Sequence, residues 1–202
     1  MNLKTNPELL PLVEWWEKDG KQVVVTLVAI VAVFGGWKYW QHHQAQVRAA
    51  ASDALVSALT TDELEEAVSK YGDKAAGGAL KLRLAKSYFD AARYEEALAQ
   101  YEALDGRAPD GFADIPVVGK AQCLEALGRY EEAGNAFDAF AGANPKSPLA
   151  LTAQLGAVRS ICRAGDKTKA LARLGALKAA NKGDELSKMR IEAVESLVKR
   201  AK

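Results

Sequence analysis

Few side chains in this 202-residue chain are of the kinds that do chemistry. The only histidines, His42 and His43, are neighbours. On a helix, neighbours point to different sides, so the pair does not converge on a metal and reads as a polar pair. The two cysteines, Cys123 and Cys162, stand 39 residues apart and outside any CxxC pair, which disfavours a metal knuckle. They read as small buried thiols, with a disulfide left open in an oxidising compartment. The carboxylates of a twice-repeated RYEEA, at Arg93–Ala97 and Arg129–Ala133, invite an acid–base reading. Their tyrosine and alanine keep a packing pattern, however, and the glutamates then fall on its wet face. No Gly-rich phosphate loop or nucleophile motif accompanies them. The expectation is a chain that is not an enzyme, needs no cofactor or metal, and acts by binding.

The elements that carry these residues repeat. LRLAKSYFDAARYEEALAQYEAL (82–104) aligns with VGKAQCLEALGRYEEAGNAFDAF (118–140) at an offset of 36 residues, and more weakly with LGAVRSICRAGDKTKALARLGAL (155–177). Small or β-branched residues recur at Ala85, Ala121 and Val158, and large apolar ones at Tyr88, Leu124 and Ile161. Ala97, Ala133 and Ala170 follow, each with a large residue four positions on, at Tyr101, Phe137 and Leu174. Small residues let paired helices approach while large ones fill the grooves between them. The unit resembles the tetratricopeptide repeat, a helix–turn–helix of about 34 residues. Gly128 and Gly165 sit in the turn between its two helices, where the first copy has Ala92. The extra length of the period falls in residues 105–116 and 143–148.

Local signals agree. Thr60 to Glu63 is a capping box that starts a helix near 61. Ser147 before Pro148 reads as an N-cap and first helical position, and Asp166 after Gly165 as a new N-cap. An earlier helix, about 42–59, joins the one from 61 as a degenerate leading repeat. The stretch GDELSKMRIEAVESLVKRAK forms an amphipathic helix that caps an open stack.

Before the repeats, Val23 to Trp37 is an uncharged apolar run. As a helix it reaches roughly 22 Å, and about 27 Å when counted to Trp40, against a hydrocarbon core of about 30 Å. Lys38 can snorkel, while Trp37, Tyr39 and Trp40 suit one interface and Trp15 and Trp16 the other. His42 and His43 then lie at headgroup level. A cleaved signal peptide would begin with a short basic segment, whereas Glu8, Glu14, Glu17 and Asp19 precede this run. A buried helix of a soluble core is the third reading. The criteria favour an uncleaved anchor. Lys4, Lys18 and Lys21 on one side, against Lys38 and Arg48 on the other, place the N-terminus in the cytoplasm.

The fold class expected is therefore all-α: a transmembrane helix, then a tetratricopeptide-like α-solenoid of helix pairs with a C-terminal cap. The divisions are a cytoplasmic tail with an amphipathic segment (1–21), the anchor in membrane lipid (22–41), a linker helix with the leading repeat (42–75), three repeats (76–181) and the capping helix (182–202). Charge is uneven. His42 to Leu149 holds 11 Lys/Arg against 17 Asp/Glu, net −6, and Ala150 to Lys202 holds 12 against 5, net +7. A nucleic-acid binder would carry more positive charge and a known motif, so no nucleic-acid partner is expected.

The segment VEWWEKDGKQVVVTLVAIVAVFGGWKYWQHHQAQ (13–46), with the length and the number of repeats, resembles the YfgM-like family. That resemblance implies a short cytoplasmic tail, one span of the bacterial inner membrane and a periplasmic repeat domain. It implies an ancillary subunit of the Sec translocon, with translocon subunits, periplasmic chaperones or secreted clients as protein partners. A structural assembly factor for another envelope complex is the alternative. No catalytic residue is implied. By analogy with tetratricopeptide domains, whose first helices line a concave groove, Lys86, Phe89, Gln122, Glu125, Arg159 and Arg163 are the candidate protein-binding residues. Arg159 and Arg163, four apart in the basic segment, suit an acidic or carboxylate-bearing partner.

Overall fold

A computed structural model of the chain describes residues 15–74, 77–181 and 183–201. The tail residues 1–14 lie outside the described residues. Every regular element among those described is helical, as the sequence pattern requires. The chain divides into two compact units, residues 1–49 and 50–202.

In the first unit a single π-helical turn, Trp16–Gly20, leads into helix α1, Lys21–Ser57. The Trp16 ring lies over Gly20, where an added Cβ would come within 2.7 Å of a ring carbon, so only glycine fits. The 18-residue apolar window of α1 has a mean hydropathy of 1.7, and none of it is buried. Val25, Val31, Val33 and Tyr39 along it are all exposed. This helix is long and apolar enough to cross a membrane.

The second unit starts within the last turns of α1. Ala51 packs with Ala67 of α2 (Thr61–Tyr71) and Leu80 of α3 (Gly77–Asp90), and Arg83 donates to the Leu55 carbonyl. The capping box is complete: Thr60 Oγ1 accepts from the Glu63 N–H at 3.3 Å, and the Glu63 carboxylate accepts from the Leu59 and Thr60 amides. Three helix pairs follow. They are α3 with α4 (Tyr94–Glu102), α5 (Asp114–Ala126) with α6 (Tyr130–Ala143), and α7 (Ala150–Arg163) with α8 (Lys167–Ala180). Helix α9 (Glu185–Arg200) closes the stack against α8 and α7.

The repeat positions behave alike. Ala85, Ala97, Ala133, Val158 and Ala170 are fully buried, Ala121 nearly so, and Tyr101, Phe137 and Leu174 fill the spaces beside them. Gly128 and Gly165 have φ of +78° and +102°, the left-handed turn that ends each first helix. The Asp166 carboxylate accepts from the Lys169 N–H at 2.9 Å and caps α8. One cap differs from expectation. Helix α7 begins at Ala150, not at Pro148. The Ser147 hydroxyl instead accepts from the Leu149 N–H, closing a tight turn, and donates to Asp114 at the head of α5. The helix therefore starts only after that turn.

Candidate functional site

The first helices α3, α5 and α7 carry Lys86, Gln122 and Arg159 at one repeat position, offset by 36 and 37 residues. Lys86 is exposed and paired with Asp90 one turn on, at 2.5 Å. Gln122 is half-buried. Arg159 reaches across to α5 and donates to both carboxylate oxygens of Glu125, at 2.9 and 2.7 Å. Glu125 is only 8% exposed, so these two candidates satisfy each other. Phe89 is half-buried and meets Tyr94 edge-on at 5.3 Å between centroids. Arg163 is exposed, its guanidinium 6.0 Å from the Tyr130 ring centre. In the repeat register the series Phe89, Glu125 continues at Cys162, one position before Arg163. On this face the Lys86–Asp90 pair and Arg163 are exposed, and Gln122 and Phe89 are half-buried.

A second surface went unread in the sequence. Helices α4, α5 and α6 bound a groove of about 720 Å³, lined by Leu98, Val117, Leu124, Ala136 and Phe140, with Glu102 at its edge. Helix α5 sends Val117, Lys120 and Leu124 into it, spaced as one helical face, and Gln122 lies off that face. One repeat later α6, α7 and α8 bound a smaller groove of about 390 Å³. The linings correspond: Glu102 to Asp138, Leu124 to Ile161, and Ala136 to Arg173. In the later groove Arg173 reaches across and binds both oxygens of Asp138. In the earlier one the same position is Ala136, and Glu102 has no ion pair among the described residues, while Arg129 beside it is held by Glu132. The signal was present in the sequence, as Ala136 against Arg173, but it shows only once the repeats are superposed.

The Tyr101 hydroxyl and the Cys123 thiol in the core both hold their protons near neutrality. Burial pushes the Tyr101 hydroxyl up to about 12 and the Cys123 thiol up to about 11. Cys123 and Cys162 are both free and belong to different packed clusters, Cys123 in the one that holds Tyr101 and Cys162 at the border of the one that holds Leu174. No group of three metal-ligating side chains occurs among the described residues.

An exposed apolar helix followed by stacked helix pairs with small residues at the crossings defines a tetratricopeptide-type interaction module. The family model for the tetratricopeptide repeat-like domain matches residues 13–133, and the chain belongs to that family. The match runs through the apolar helix as well as the first repeats. Over 65 residues the chain is 35% identical to the ancillary SecYEG translocon subunit of Haemophilus influenzae. That alignment covers 31% of this chain and 32% of the relative, so the match spans about a third of the relative's length. It bears out the YfgM-like resemblance carried by the sequence. No solved structure matches. The fold and the relative together point to protein interaction rather than catalysis.

Proposed function

We propose that the chain is a membrane-anchored scaffold for protein contacts, ancillary to the Sec translocon, which links it to periplasmic chaperones or to the folding of secreted proteins. In this reading α1 spans the bacterial inner membrane through residues 22–41, the N-terminus is cytoplasmic, and the repeats work in the periplasm. The observation that carries the anchor is the complete exposure of the apolar window of α1. In water such a helix would forfeit the burial of its valines and aromatics, and a bilayer supplies it. The tryptophans and tyrosine around it suit the two interfaces. The relative's name supports the translocon as the assembly served.

Purification of the full chain from native membranes in mild detergent, with crosslinking and identification of the proteins bound, tests the assignment. Translocon subunits are expected. An abundant crosslink to another envelope complex would replace it with the assembly-factor reading. Topology is tested separately with Asp110→Cys in a Cys162→Ser background. A thiol reagent that cannot cross the membrane should label Cys at 110 in intact spheroplasts, and labelling only after lysis would overturn the periplasmic placement.

A further inference from the structure

We propose that this chain associates with itself head to tail: the outward face of α9 of one copy seats in the α4–α5–α6 groove of another, with Arg200 meeting Glu102. The groove states what it lacks. Its counterpart one repeat later is filled from within by Arg173, which crosses to Asp138. Here Ala136 leaves that space open and Glu102 without an ion pair among the described residues, beside the apolar walls of Leu98, Leu124 and Phe140. The complementary occupant is a helix face that is apolar and carries one cation at its edge.

Helix α9 presents such a face. Its inner side buries Ile191, Val194 and Val198. Its outer side exposes Leu186, Met189 and Leu197 at 68%, 66% and 56%, in positions that fall on one stripe of a helix. The end of a repeat stack ordinarily turns a polar face to water, and here an apolar stripe runs beside the exposed charges of Glu185, Glu192 and Lys199. Arg200 lies three residues beyond Leu197 on the same stripe. Its hydrogen bonds among the described residues go only to the Ser196 carbonyl and hydroxyl, at 3.1 and 3.0 Å, and not to a carboxylate. The long-range charge has the matching sign: α9 belongs to the +7 segment and the groove to the −6 segment. The two surfaces lie on different helices, so each copy can use both at once. Such a contact is heterologous, and it extends beyond dimers unless it closes into a ring.

The inference is independent of the translocon assignment and is tested without it. Sedimentation of the full chain in non-ionic detergent, over a concentration series, should show growth beyond the monomer. Glu102→Arg and Arg200→Glu should each weaken association by about tenfold or more. The double variant, and an equimolar mixture of the two single variants, should recover it. Ala136→Arg should abolish it by supplying within the groove the cation that Arg173 supplies one repeat later, with cooperative thermal unfolding retained. In native membranes, an oxidative crosslink should form between a Glu102→Cys chain and a differently tagged Arg200→Cys chain, both carrying Cys162→Ser. A wild-type chain that stays monomeric and gives no crosslink overturns the proposal. So does association insensitive to Glu102→Arg and Ala136→Arg but lost with Leu197→Asp, which would place α9 against some other surface. Failure of the double variant to recover also overturns it.

Discussion

The edge of the Phe137 ring rests on the backbone of Gly156: a Cβ added at Gly156 would stand 2.6 Å from the ring's Cζ. Tyr101 and Gly119 repeat the arrangement one unit earlier, with the same closest approach of 2.6 Å. The second helices of the first two pairs thus drive a ring into the first helix of the next repeat, at a position where only glycine leaves room. Gly156→Ala should destabilise the repeat unit by about 1–3 kcal/mol through overpacking, despite alanine's better helix propensity. Gly175→Ala, with nothing within 4 Å of the new methyl group, should gain up to about 1 kcal/mol. Chemical denaturation of the two variants side by side makes the comparison, and equal shifts would refute the packing account.

Ala92 holds φ at +58°, in the turn where the next two repeats place Gly128 and Gly165. An L-residue pays for the left-handed region, by about 1–2 kcal/mol, and glycine does not. Part of that gain is lost to glycine's greater freedom in the unfolded chain. Ala92→Gly should therefore stabilise by about 0.5–1 kcal/mol, and Gly128→Ala should destabilise by a similar amount. Midpoints of urea unfolding measure both.

The turns, caps and crossing alanines were legible because each is a local rule written in residue type. The capping box at Thr60–Glu63 and the Asp166 cap appear where the sequence places them. Ser147 departs from the cap its sequence suggests because its hydroxyl has rival partners, the Leu149 amide and the Asp114 carboxylate. Asp114 is 33 residues away in the chain, so nothing local announces it. The Glu125–Arg159 pair was hidden for the same reason. In the sequence each residue looks like a free groove side chain, and only the packing of α5 against α7 brings them together. The groove lined by Ala136 shows another limit, since a missing side chain has no pattern of its own.

The pH dependence of the first cap follows from its geometry. Hydrogen bonds from the Thr60 and Leu59 amides, then from the Thr60 hydroxyl, hold the Glu63 carboxyl below the usual carboxylate range. A value lower in the folded than in the unfolded chain adds stability that is present above the unfolded value and is lost as pH falls through the folded one. The stability difference between wild type and Glu63→Gln should be largest near neutrality and shrink steadily in acid. A difference that stays constant from neutrality to below the carboxylate range would remove the carboxylate from the account.

The two thiols should differ sharply in reactivity. Cys123 is fully buried and its thiol is pushed up to about 11 by burial, so at neutral pH it is protonated and shielded. Cys162 is half-buried. A maleimide reagent should modify Cys162 in the folded chain within minutes and reach Cys123 only as fast as the repeat unit opens. Mass spectrometry of the digested protein separates the two sites, and early modification of Cys123 would show that its cluster opens locally.

The Glu125–Arg159 pair decides whether that part of the first-helix face binds partners or holds the stack together. Side-chain exposures of 11% and 29% leave little of either group for a ligand. Arg159→Leu would strand a carboxylate of which only a small part reaches water, at a cost of about 2–4 kcal/mol. Glu125→Leu with Arg159→Leu removes both charges and should return to within about 1 kcal/mol of wild type, because a well-packed apolar pair replaces a buried ion pair at little net cost. If the pair is structural, this double variant also retains the partners of the native chain in a detergent purification, whereas Lys86→Glu or Arg163→Glu depletes them. Loss of partners with the stable double variant would return Arg159 to the binding surface.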